Sequence, residues 1–192
     1  MRLSALLKRV WVSLSSSLSG SFAMTERTVR YVEYPADGFP PGFHDLLGKF
    51  HAMWLMFDPT LDYSIGHFLG TPTRDTHMLV SGMMFGTKLR LLADLIKRCD
   101  HPKKDRLAEA VKTLQASKRD QITHAYIKSN SANITFMYRS KGGSYSAGEL
   151  AFHINDFIDH VGRMVEATIA FQAALGATEE ELIAFANAIE SE

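Results

Sequence analysis

Residues 119 to 124 read Arg-Asp-Gln-Ile-Thr-His. The arginine and the histidine are the two side chains here with clear chemical use. A histidine titrates near neutral pH, so it can take or give a proton during a reaction. An arginine grips a phosphate with its planar fork and steadies the charge that builds on it. Together they could cleave RNA without a metal or any other cofactor. A base removes the proton of a 2′-hydroxyl, that oxygen attacks the neighbouring phosphorus, and the arginine stabilises the pentacovalent state. Arg119, Asp120 and His124 are therefore the candidate catalytic residues.

Geometry sets a condition. Residues five apart on a regular helix point ~140° apart around its axis, so Arg119 and His124 would not meet on a straight one. Asp120 and His124, four apart, would. The pair converges if Arg119 stands where a helix begins. Ser117, with Asp120 three residues later, resembles a capping box and predicts that placement. A second copy of the chain could also supply a partner across an interface. The purely structural alternative is that Arg119 pairs with an acid while Asp120 and His124 bond locally at a helix start.

The segment Arg-Asp-Gln-Ile-Thr-His resembles the Arg-x4-6-His motif of the HEPN superfamily, whose members are helical bundles. In that family a polar residue commonly follows the arginine, and Asp120 fits. Many members are metal-independent ribonucleases of toxin–antitoxin, abortive-infection and CRISPR systems, and they typically dimerise so that two motifs form one site. The resemblance covers six residues closely and the helical layout loosely. It implies that Arg119 and His124 are catalytic, that Asp120 orients His124, and that the chain is a homodimer.

The elements that must position these residues read as mainly α-helical. A helix is expected from about Phe43 to Phe57, ending before Pro59, with a loop over residues 58 to 75. A long helix follows from Asp75 or Thr76 to Cys99, its stripe formed by Phe85, Leu89, Leu92, Ile96 and Cys99. Gly82 and Gly86, one turn apart, would permit close helix approach. Pro102 suits a helix's first turn, and Leu107, Val111 and Leu114 continue that helix. Ile134, Phe136 and Tyr138 alternate before Gly142-Gly143, which predicts a β-hairpin. Residues 146 to 149 (Ser-Ala-Gly-Glu) resemble a second capping box, opening the longest helix. Leu150, Ile154, Phe157, Val161, Met164 and Leu175 form its core face, and Gly176 ends it. Thr178 to Glu181 cap a last helix through Leu182, Phe185 and Ile189. The expectation is a bundle of four to five helices with one β-hairpin insertion.

Residues 1 to 23 differ from the rest, with seven serines, three basic residues and no acid. Leu3, Leu6, Leu7, Val10 and Leu14 recur at helical spacing. The segment reads as a transit or secretory leader, as a membrane-surface helix, or as sequence preceding a true start at Met24. Residues 24 to 192 then form one helical domain. The apolar run after Thr76 is too short to span a bilayer. The one cysteine, Cys99, excludes an intramolecular disulfide and a Cys-rich metal cluster, and fits a reducing, cytoplasmic setting.

Net charge is zero, so nothing draws the whole chain toward nucleic acid or anionic lipid. Charge is uneven, however. Ten basic residues lie between Lys88 and Arg119 against four acids. Lys97, Arg98, Lys103, Lys104, Arg106, Lys112 and Lys118 could face RNA beside the candidate motif, or simply form solvated helix faces. Two histidine pairs offer another chemistry. His44 and His51, and His153 and His160, are each seven apart and so share a helix face, with Asp156 near the second pair. Two such helices side by side could hold a divalent metal, although no Glu-x-x-His motif accompanies them. Finally, the methionine-rich residues 77 to 86 suit a non-catalytic interaction module, a homodimer binding a partner or small ligand.

Overall fold

Six phenylalanines set the layout. Phe43, Phe50, Phe57, Phe136, Phe157 and Phe171 are all but completely buried in the computed structural model, which describes residues 38–139 and 147–188. Each such ring contributes about 1.5–3 kcal/mol by leaving water. Phe157 is central, with the ring centres of Phe43, Phe50, Phe136 and Phe152 lying 5.3 to 6.3 Å from its own. These rings come from two long helices and a small sheet, which together make the core.

The fold is mainly α-helical with a small antiparallel sheet. Helix α1 is Phe43–Leu69, α2 is Thr73–Val80, α3 is Phe85–Arg98, α4 is Lys104–Gln115 and α5 is Arg119–Thr123. Strands β1 (Tyr126–Ser129), β2 (Asn133–Arg139) and β3 (Ala147–His153) follow, then α6 (Ile154–Leu175) and α7 (Glu179–Asn187). Helix α1 packs on α2, α3, α6 and α7, while α4 packs between α3 and α6.

Helix α1 runs past Pro59, where the sequence suggested an end. Proline removes one hydrogen bond, to the carbonyl four residues back. That carbonyl belongs to Leu55, which is largely exposed, so water can satisfy it. Buried Phe57, Leu61 and Ile65 hold the turns on either side, and tertiary packing outweighs the break. Gly70, at φ 65°, ends the helix instead. The single helix expected from residue 75 to 99 is two helices, broken at Ser81–Met84 around Gly82, a poor helix former. Gly82 and Gly86 face open space. The close approach occurs at Gly66, where any side chain would collide with Thr76 of α2. Helix α4 buries Leu107, Val111 and Leu114, and begins at Lys104, beyond Pro102.

The sheet has order β1-β2-β3, antiparallel throughout. The β2–β3 pair matches the expected hairpin, with Phe136 opposite Leu150 and Ile134 opposite Phe152. Its Gly142-Gly143 turn lies outside the described residues. Strand β1 extends the hairpin to three strands, pairing Ile127 with Phe136. Residues 147 to 149 belong to β3 rather than to a helix cap, because cross-strand bonding along seven residues overrides a short local signature. The Tyr138 ring covers Gly148 so closely that no side chain would fit there. Helix α6 starts at Ile154, buries Phe157, Val161, Met164 and Leu175, and ends at Gly176 with φ 78°. Thr178 and Glu181 make the expected reciprocal capping box of α7; Ile189 lies outside the described residues.

Candidate functional site

Helix α5 is a single short turn that begins at Arg119. Lys118, just before it, has φ 58°, the left-handed region that costs a residue with a Cβ ~1–2 kcal/mol. Ser117 holds the chain in that conformation. It is buried, its Oγ accepts the Arg119 backbone N–H at 3.3 Å, and its carbonyl accepts from His160 Nε2 at 2.8 Å. The capping box expected from Ser117 and Asp120 does not form, because Lys118 occupies the N-cap position and no side chain caps the helix. Ser117 instead makes a local turn bond, as hydroxyl residues often do.

Arg119 is half-buried. Its guanidinium carbon lies 4.4 Å from the centre of the Phe85 ring, a cation–π contact, and its Nη1 donates to Asp120 Oδ1 at 3.1 Å. Phe85 in turn packs edge-on to Trp54, with ring centres 5.0 Å apart. Three polar atoms in this neighbourhood are buried without a hydrogen-bond partner: Trp54 Nε1, Arg119 Nε and Thr123 Oγ1. Arg119 and Thr123 are four apart and share one face of α5.

His124 follows the end of α5 and is exposed. Its φ of −110° and ψ of 16° lie outside the helix, so the ~140° separation of a straight helix does not apply. Its backbone N–H donates to the Asp120 carbonyl at 3.3 Å. Arg119 thus opens the turn that His124 closes.

His51, half-buried on α1, is three residues before Trp54 and therefore on the same side of that helix. Burial lowers its pKa from the ordinary value, and the charges of Arg119 and His124 lower it further. The sequence contains no local signal for this association. The two segments are far apart in the chain, and spacing alone pairs His51 with His44.

The histidine-pair site is not assembled. His44 packs on the rings of Phe39 and Phe43. His153 caps α6, its Nδ1 accepting the Asn155 N–H at 3.3 Å, and Asp156 is exposed in that helix's first turn. His160 is buried against Phe152 and bonded to Ser117. A carbonyl only accepts, so Nε2 carries the His160 proton. Burial pushes the His160 pKa down; the Ser117 bond opposes that and the Arg163 charge adds to it. Among the described residues, no group of three or more His, Cys, Asp or Glu stands close enough to share a metal ion. His44 and His51 both lie on α1, but His153 ends β3 and only caps α6, so it does not share a helix face with His160.

The basic residues are similarly divided. Lys97 pairs with Asp94, Lys104 donates to the Lys97 carbonyl, and Lys103 donates to the Ala173 carbonyl. Arg98, Arg106, Lys112 and Lys118 are exposed. A groove of about 560 Å³ lies between α4 and α6, lined by alanines including Ala110, Ala167 and Ala170. Arg106, Glu109, Arg163 and Glu166 line it with mixed charge, and it shares no residue with the Arg119 neighbourhood. No helix among the described residues is long and apolar enough to cross a membrane. Comparison with known proteins finds no matching family model, curated protein or solved structure.

Proposed function

We propose that the protein is a metal-independent endoribonuclease in which Arg119 binds and steadies the scissile phosphate while His124 moves a proton. The observation that carries this reading is the placement of an exposed histidine at the end of the turn that a half-buried arginine begins. The Phe85 face and Asp120 hold the guanidinium, a group suited to a phosphate. Lys118 and Lys112, both exposed, supply further positive charge for the RNA backbone. The test incubates the protein and His124→Ala with mixed RNA in EDTA. The protein should yield 2′,3′-cyclic phosphate ends, and the variant should lose ~10²–10⁴ in rate. Equal behaviour of the two would end this reading.

A second reading rests on a different face. Met78 and Met84 are each 70% exposed and Leu79 is 42% exposed, around the break between α2 and α3. Adaptable methionines on a surface suit protein contact, which supports an interaction module or homodimer. Sedimentation of the protein and of Met78→Lys/Met84→Lys tests it: the protein should self-associate and the variant should not.

A further inference from the structure

One aromatic ring stands apart from the core. Among the described residues, Tyr126 is the single Phe, Tyr or Trp side chain that is exposed, at 79%. Its strand explains the direction. Ala125 and Ile127 pack against the core, so Tyr126 between them points outward, as alternation along an extended chain requires. Lys128, two residues further on, is exposed on the same face. Tyr126 stands opposite Met137 and Lys128 opposite Thr135 in the antiparallel register. An aromatic ring left in water adds little to the core.

Chain connectivity puts this ring next to the candidate site. Tyr126 follows His124 by two residues, so their Cα atoms are at most ~7 Å apart. His124 is exposed as well. Helix α5, which carries Arg119, packs on β2, the strand beside β1. Charge along the sheet is one-sided. Lys128 is on β1, while Glu149, exposed and opposite Met137, puts a carboxylate on β3, ~10 Å across the sheet from Tyr126.

We infer that Tyr126 and Lys128 form a substrate subsite for an unpaired nucleotide, so that the substrate is single-stranded RNA. The inference rests on the ribonuclease reading above. The Tyr126 ring stacks on a nucleobase beside the scissile phosphate that His124 serves. Every base has a flat π face, so stacking holds the RNA with little regard to sequence. A base inside a duplex is already stacked and paired, and its faces are not available to the ring. Lys128, one step along the strand, attracts the neighbouring phosphate. Glu149 repels the same phosphates, so the RNA backbone follows β1 and keeps away from β3.

The experiment uses the full-length protein, Tyr126→Ala and Tyr126→Phe, in EDTA. Cleavage is followed on a short single-stranded RNA and on the same sequence annealed as a duplex. Binding is measured separately with the 2′-O-methyl form of the strand, which has no 2′-hydroxyl to attack the phosphorus. Tyr126→Ala should weaken binding of the methylated strand and raise KM for the single strand by about 5- to 100-fold, with kcat unchanged. Tyr126→Phe keeps the stacking face and should match the parent. On the duplex, parent and Tyr126→Ala should be alike. Urea unfolding of each variant checks that the fold is retained; a ring that served only the sheet would move the midpoint and leave KM alone. Unimpaired binding and KM in Tyr126→Ala, or an equal loss in Tyr126→Phe, overturns the inference, while His124-dependent cleavage by the parent still upholds the ribonuclease reading. Binding that needs the ring, without any cleavage by the parent, upholds the subsite and overturns the ribonuclease reading. Neither binding nor cleavage by the parent overturns both.

Discussion

Helices α1 and α3 hold one buried and one half-buried cation in contrasting ways. Lys88, on α3, has 8% of its side chain exposed and faces two carboxylates of α1. Its Nζ stands 2.7 Å from Asp62 Oδ1 and 3.4 Å from Asp58 Oδ1. Arg119 rests on Phe85, one turn earlier on α3, and beside the part of α1 that carries Trp54. It has one carboxylate partner, from its own neighbour Asp120, and an Nε–H with no acceptor. The first cluster meets charge with charge inside the protein. The second leaves an Nε–H buried without an acceptor. A fold that needed only stability would gain little from the second arrangement.

This contrast predicts a clean separation of effects. The largest belongs to the open cluster: His124→Ala should lower RNA cleavage by ~10²–10⁴ with little change in urea midpoint, because His124 is exposed. In the closed cluster the order reverses. Lys88→Met leaves Asp62 without its cation, and the fold should lose about 3 kcal/mol in urea unfolding. The cleavage rate per folded molecule should be unchanged. A cleavage defect in folded Lys88→Met would show that the two clusters are one unit. Burial raises the Asp62 pKa and Lys88 opposes that, so Asp62 should titrate higher still once Lys88 is gone.

His160 sharpens the comparison, since it ties α6 to the residue before the Arg119 turn. Its folded pKa is depressed, chiefly by burial. The unfolded chain therefore binds more protons between that folded value and the ordinary histidine value near 6.5. His160 thus makes stability rise with pH through this window and fall on acidification. His160→Gln should flatten the dependence of the melting temperature on pH there, and His51 should retain its own contribution of the same sign. The smallest effect lies away from both clusters. Thr178→Ala removes the α7 capping box and should cost about 1 kcal/mol, with cleavage unaffected.

The sequence made some of this legible. Helix ends that depend on local chemistry, such as Gly176 and the Thr178–Glu181 box, are where the residues place them. So is the start of a helix at Arg119, although the cap is a strained Lys118 rather than Ser117. The readings that failed are those where tertiary packing opposes a local rule. Pro59 did not end α1, because apolar residues on both sides of it are buried. Ser-Ala-Gly-Glu did not open a helix, because β2 claims its backbone. Strand β1 has four residues and too little pattern to be seen alone. The Arg119–Phe85–Trp54 stack draws on α5, α3 and α1, and no window of sequence contains all three.

Pro59 has one more consequence, for the timescales on which α1 opens. The hydrogen bond it cannot make would have linked its own turn to that of Leu55. His51 and Trp54 lie on the N-terminal side of this missing rung, while Asp62 and Ile65 lie on the C-terminal side. Fraying that starts at Phe43 therefore meets a natural stopping point before the Lys88 ion pairs. Amide exchange should divide α1 into two protection classes at that point, with faster exchange in the half that presents His51. A helix continuous in shape would then be two cooperative units in motion.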